Sequence, residues 1–354
     1  MKVKIDSNWI FIVLILALIG ISVSDSQMGA VKQGKSNHLS IMSGNSGGTY
    51  YYIAAGQAKI LTEYLEDINV VTQSTSGSPV ENMTLVEQDP ANLGIVTPVE
   101  NMTLVEQDPA NLGIVTIDGI YYAGLGDAER GFEEPLKNLR AIQVGHKAYL
   151  YGLTVSGTGV ERYEDMAGKT VSVPPIGSTT YYMALAVAEA YGCNSDNTNM
   201  IPMTSSEQAE ALKDGTIDVA FMAGGIPQAT VTDLDYSNDV VYLSIDDAVI
   251  ETLDKEYPFW TPVTIEKDTY SKQTEDMNCL TVDTLLACNV DLDEEIVYQI
   301  TKILNENVNE LAAIHSSGME WNKETTEAYL NSSLLTFHDG ALKYYMEVLE
   351  DRGR

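Results

Sequence analysis

Apolar residues along this chain follow two alternating rhythms. Short β-type runs occur at Leu39–Ser43, Ile68–Thr72, Leu139–Val144, Leu150–Val155, Thr170–Val173, Ile217–Met222 and Val240–Ser244, and another passes through Ile114, Val115 and Ile117. Between them lie segments whose apolar positions recur every three or four residues. Tyr51–Glu66 places Ile53, Ile60, Leu61, Tyr64 and Leu65 on one face, which predicts a helix. Tyr181–Tyr191, Ser205–Lys213, Glu294–Glu310, Lys323–Asn331 and Ala341–Glu350 read the same way, and Tyr163–Lys169 as a short helix and turn. Strand–helix alternation predicts α/β architecture, with mostly parallel sheets flanked by helices. Two such sheets are expected, in lobe 1 (38–151 plus 245–354) and lobe 2 (152–244), with a ligand cleft between the lobes.

Pro79–Thr97 and Pro98–Thr116 are identical letter for letter, a 19-residue tandem duplication inside lobe 1. Surface positions of a repeat drift because substitutions there cost little. Identity throughout therefore means a very recent duplication or an error in the gene model. One copy suits the fold and the other is expected to bulge out.

The chain starts with Lys2 and Lys4, an apolar run from Trp9 to Val23, and the small residues Ser22-Val23-Ser24. This pattern predicts a secretory signal peptide over residues 1–24 and an extracytoplasmic location, periplasm or cell surface. An uncleaved N-terminal anchor is the alternative. Among 354 residues there are 51 acidic and 20 basic side chains, a formal net charge of −31. Such a surface repels nucleic acid and anionic lipid, and salt screens its self-repulsion. Cys193, Cys279 and Cys288 lack metal or C-x-x-C spacing and read as buried free thiols.

Four turns stand out: Ser43–Thr49, Thr75–Ser78, Pro175–Thr180 and Ala223–Pro227. Each follows an apolar run, precedes a helical one, and is built of Gly with Ser, Thr or Pro. The first N–H groups of a helix have no internal partner and favour negative charge. Glycine lets a ligand approach the backbone, and Ser or Thr adds a hydroxyl. Taken singly, each turn is explained as a helix cap. Taken together, they suggest a grip on a small carboxylate without any Arg or Lys. The candidates are Gly47, Gly48, Thr49, Tyr50, Thr75, Ser76, Gly77, Ser78, Gly177, Ser178, Thr179, Gly224, Gly225 and Pro227. Tyrosines near these turns, among them Tyr121, Tyr122, Tyr181 and Tyr182, suit either a wet cleft wall or packing between lobes.

Catalysis has little support. His38, His146, His315 and His338 fall in no H-E-x-x-H or Cys/His cluster, and no G-x-S-x-G elbow is present. No catalytic residue, metal or cofactor is expected. His338-Asp339 reads as capping or packing, which leaves a secreted hydrolase as a remote alternative.

The chain resembles the TAXI solute receptors of TRAP transporters. The matching stretches are Gly47-Gly48-Thr49-Tyr50-Tyr51, Thr75-Ser76-Gly77-Ser78 followed by Asn82, Gly168–Val173 with Gly177-Ser178-Thr179, Lys213-Asp214-Gly215 with Ile217-Asp218, and Gly224-Gly225 with Pro227. Tyr257-Pro258, Val297-Tyr298, His338, Gly340-Ala341 and Tyr344-Tyr345 follow in the same order. The resemblance implies a two-lobed, periplasmic-binding-protein-like receptor that delivers an organic acid or amino acid, glutamate- or dicarboxylate-like, to a TRAP permease in the membrane. It adds Asn82 to the ligand-binding candidates, with Asn101 as its equivalent in the second copy. The strand-end residues Thr116 and Asp118 are also expected to face the cleft. A receptor of the same shape serving an ABC importer or a sensor kinase is the alternative.

Overall fold

The computed structural model describes residues 38–44, 48–74, 102, 105–130, 132 and 134–352. The expected signal segment, Gly47, the Thr75–Ser78 turn, Asn82, Asn101 and the first copy of the repeat lie outside these residues.

The strands are β1 (His38–Ser43), β2 (Asn69–Ser74), β3 (Asn111–Thr116), β4 (Leu139–Val155), β5 (Thr170–Val173), β6 (Asn199–Pro202), β7 (Val219–Gly224), β8 (Val240–Leu243), β9 (Thr261–Ile265) and β10 (Met277–Asn289). The helices are α1 (Thr49–Tyr64), α2 (Ile117–Leu125), α3 (Thr179–Ala190), α4 (Ser205–Lys213), α5 (Ala229–Ser237), α6 (Asp247–Glu256), α7 (Glu294–Glu306), α8 (Val308–Ile314), α9 (Lys323–Glu327) and α10 (Asp339–Arg352). Short 3-10 turns occupy Ala128–Arg130, Tyr163–Met166 and Ser316–Glu320.

The strands join in the order β2-β1-β3-β10-β4-β7-β5-β6, with β8 against β4 and β9 against β10. At one end β1 lies parallel to β2 and β3. At the other end β5 lies parallel to β6 and β7. The long strands β4 and β10 run antiparallel between them and make the two parallel sets continuous. Leu285 on β10 thereby faces Val115 of β3 on one side and Val144 of β4 on the other.

Packing separates the apolar residues into three clusters. One joins β1, β3 and α1 to α7 and α10 through Leu39, Ile41, Ile53, Leu61, Ile114, Leu286, Ile300 and Tyr345. The second gathers Leu150, Val171, Met183, Phe221, Ile245, Leu253, Trp260 and Leu280. The third, on Tyr151, Leu212, Met222, Leu234 and Met277, completes that half of the molecule. Each fully buried Leu or Ile contributes about 1.5–3 kcal/mol relative to exposure.

The second copy of the repeat supplies β3. Met102 and Val105 just before it are buried. Asn289 Nδ2 donates to the carbonyls of Val105 and Glu106, at 3.0 and 2.7 Å, and ties this copy to β10. All three cysteines are buried and free. Among the described residues no helix is long and apolar enough to cross a membrane.

Candidate functional site

Parallel strands deliver their carboxyl ends to one edge of each half, and the helices that follow start there. β1 leads to α1, β3 to α2, β5 to α3 and β7 to α5. The helix starts of one half face those of the other and touch at two places.

The first contact joins α1 to the turn after β7. Gly48 caps α1 with extended backbone and no side-chain hydrogen bond. Thr49, buried, accepts a 3.1 Å hydrogen bond at Oγ1 from the Gly225 amide. A Cβ on Gly225 would lie 2.5 Å from Ser317 Oγ and 2.9 Å from Thr49 Cγ2. The missing side chain is therefore what lets the two halves meet. Gly224, at φ +156°, and Pro227 shape the same turn, which opens α5.

The second contact joins α2 to α3. Thr179 donates from Oγ1 to Asp118 Oδ1 at 2.9 Å and lies 2.7 Å from the Thr116 hydroxyl. The Gly119 amide donates to Asp118 Oδ1 at 2.8 Å, and the Trp260 indole N–H to Oδ2 at 3.3 Å. Asp118 is only 1% exposed. Burial raises its carboxyl above the usual carboxylate range, and the hydrogen bonds from Thr116, Thr179, Trp260 and Gly119 offset only part of that rise. Ser178 caps α3 by accepting from the Tyr181 amide at 3.1 Å, and Gly177 at φ +83° supplies the bend before it.

Beside this contact lies a cavity of about 10 Å³, room for one water. Gly177 and Thr179 line it from one half and Asp118, Tyr122 and Arg130 from the other. The Arg130 guanidinium sits between two rings, 4.4 Å from the Tyr122 centroid and 4.3 Å from that of Tyr182. The Tyr182 hydroxyl donates to the Glu129 carbonyl at 3.0 Å, so this clamp also spans the halves.

Tyr50 packs against both of the larger clusters and meets the His146 imidazole edge-on at 5.3 Å. Burial and the nearby Asp118 push its hydroxyl up. His146 Nδ1 accepts from the Trp321 indole N–H at 3.0 Å. An indole only donates, so the imidazole proton resides on Nε2. Burial, with the field of His315, holds His146 down to about 3.

The structure thus brings Thr116, Asp118, Gly177, Ser178 and Thr179 together at one contact, and Gly48, Thr49, Gly224, Gly225 and Pro227 at the other, with Tyr50 nearby. Asp118 stands in the first turn of α2, because the chain leaves the strand after Thr116 and Ile117 already begins the helix. Gly47, Thr75, Ser76, Gly77, Ser78 and Asn82 lie outside the described residues.

Sequence reading missed Arg130, Trp260 and Ser317. Arg130 sits in a three-residue turn without periodic pattern. His338 accepts from the Gly340 amide at 3.2 Å at the start of α10 and lies apart from this site. Among the described residues no cluster of three or more His, Cys, Asp or Glu is placed to hold a metal ion.

This is the two-lobed α/β fold of the periplasmic binding proteins, with opposed helix starts at the interlobe edge. The chain belongs to the NMT1-like family, whose profile matches residues 97–348 and so takes in the second copy of the repeat. The periplasmic binding protein BugD is similar over 89% of this chain and 97% of its own, at 13% identity and a TM-score of 0.51. A TctC solute binding protein from Polaromonas covers 89% of this chain and 99% of its own, at 12% identity and a TM-score of 0.46. A substrate binding protein of an ABC uptake transporter from Streptococcus pneumoniae, solved with histidine, covers 80% and 92%, at 13% identity and a TM-score of 0.46. The likeness to BugD concerns the fold.

Proposed function

We propose that this chain is an extracytoplasmic solute receptor of a TRAP transporter, of the TAXI type. It captures a small organic acid or amino acid between its lobes and delivers it to the membrane permease. The carrying observation is the pairing of helix starts across the cleft, Thr49 with Gly225 and Thr116 with Thr179. Each pair joins a helix start of one half to a glycine or hydroxyl group of the other, so one solute between them would be touched by both lobes. Binding then favours the closed form, which a permease can distinguish from the open one. Family membership and the fold of BugD, itself a periplasmic binding protein, support the reading. The ordered motifs from Gly47 to Tyr345 support the TAXI assignment.

A thermal-shift screen of organic acids and amino acids, followed by calorimetry of the hits, tests this. A saturable ligand at 100 times its Kd raises stability by about 2.7 kcal/mol. A screen in which no small acid or amino acid moves the melting temperature would refute it.

A further inference from the structure

Asp118 and Arg130, neither of them in an ion pair among the described residues, line one cavity at the lobe boundary. Asp118 is held by hydroxyl, indole and amide donors, all of them neutral. A buried carboxylate with neutral donors alone is costly and gains from a nearby cation. The Arg130 guanidinium carbon lies over the rings of Tyr122 and Tyr182. A guanidinium carries a planar fork of N–H donors that matches a carboxylate. Among the described residues no carboxylate lies within ion-pair distance of Arg130. The remaining wall is largely apolar and aromatic, with Met102 and Phe132 beside the two tyrosines.

We propose that this cavity, opened as the lobes part, receives an α-amino acid with an uncharged side chain, its ammonium on Asp118 and its carboxylate on Arg130. A dicarboxylate would bring a second anion against Asp118, and a simple carboxylic acid would leave Asp118 unpaired. The side chain would lie against Met102, Phe132 and the tyrosine rings. Tyr182 belongs to α3 and Arg130 to the turn after α2, so closure on the solute brings the Tyr182 ring over the guanidinium. The inference rests on the receptor reading and narrows it.

The test is calorimetry on the purified full chain with L-leucine, 4-methylpentanoate and 3-methylbutylamine, repeated with methionine, phenylalanine and their truncated counterparts, and with glutarate. At least one intact amino acid should bind. Its analogues lacking either charged group should bind about 10- to 100-fold more weakly, the worth of one charged hydrogen bond. Arg130→Gln should weaken the intact amino acid by a similar factor and abolish its advantage over the amine. Asp118→Asn should abolish its advantage over the acid, and the analogue series on the natural chain stands even if that variant folds poorly. Glutarate or 4-methylpentanoate binding as tightly as the amino acids would overturn this inference and leave the receptor intact. Amino-acid binding indifferent to Arg130→Gln would overturn it as well. No binding by any acid or amino acid would overturn both readings.

Discussion

Thr179 on α3 reaches across the lobe boundary to donate a 2.9 Å hydrogen bond to Asp118 on α2, a carboxylate that is almost wholly buried. The same hydroxyl contacts Thr116 at 2.7 Å, so one side chain serves two groups of the opposite half. Thr179→Val keeps the shape and removes both bonds. It leaves a buried carboxylate short of a donor, at a cost of about 1–3 kcal/mol. A lower melting temperature is expected, with a larger radius of gyration by small-angle scattering as the closed form loses population. Thr179→Ser should restore both. An unchanged radius in Thr179→Val would mean that this contact does not hold the lobes together.

Gly225 offers a steric test of the other contact. Its backbone lies outside the left-handed region, so alanine adds only the clash with Ser317 Oγ at 2.5 Å and Thr49 Cγ2 at 2.9 Å. Gly225→Ala should hold the lobes apart, break the Gly225–Thr49 hydrogen bond and weaken solute binding while each core stays folded. Gly177 is a poorer choice, since φ +83° strains any replacement wherever its side chain points. If scattering and binding of Gly225→Ala match the natural chain, the close approach at this turn is not needed for closure.

His146 sets a pH dependence. Burial holds it down to about 3, against 6.5 for a solvated histidine. As the pH falls below about 6.5 the unfolded chain takes up a proton that the folded chain refuses. The imidazole's contribution to stability is therefore lost progressively between about pH 6.5 and 3, on the order of 1 kcal/mol per pH unit. Denaturant unfolding of the natural chain and of His146→Gln, compared from pH 7 to 4, should give a difference that shrinks as the pH falls. Parallel curves would show that His146 titrates normally.

The 51 acidic and 20 basic residues predict a salt response. Between 0.1 and 1 M salt the screening length falls from about 10 to about 3 Å, which weakens repulsion among surface carboxylates. The melting temperature should rise over that range in sodium or potassium chloride. A flat or falling profile would remove self-repulsion as a term in this protein's stability.

Much of the fold was readable because amphipathic period and turn chemistry agree locally. Ile53, Ile60 and Leu61 mark the buried face of α1, and Ser178 and Gly177 mark the start of α3. The pattern predicts two strands, Leu139–Val144 and Leu150–Val155, where the fold has the single strand β4. In the fold Gly145 is bare because the Trp321 indole lies over it, where a Cβ would come within 2.1 Å. Lys147 is held there by Asp283 at 2.7 Å. Both partners are more than a hundred residues away, beyond the reach of local pattern. Ile245, Leu253, Trp260 and Leu280 pack with Leu150 and Phe221, a choice made by long-range burial alone. Among the site residues, the turn glycines and hydroxyls stood out by composition. Arg130 did not, because only the folded chain brings the Tyr122 and Tyr182 rings over it.

The most direct measurement is small-angle scattering of the full chain during titration with a solute that raises its melting temperature. A receptor that closes around its solute gives a saturable fall in the radius of gyration with the same midpoint as calorimetric binding, and Thr179→Val shifts that midpoint to higher concentration. Saturable binding with no change in radius, in the natural chain and in Gly225→Ala alike, would contradict a site shared between the lobes.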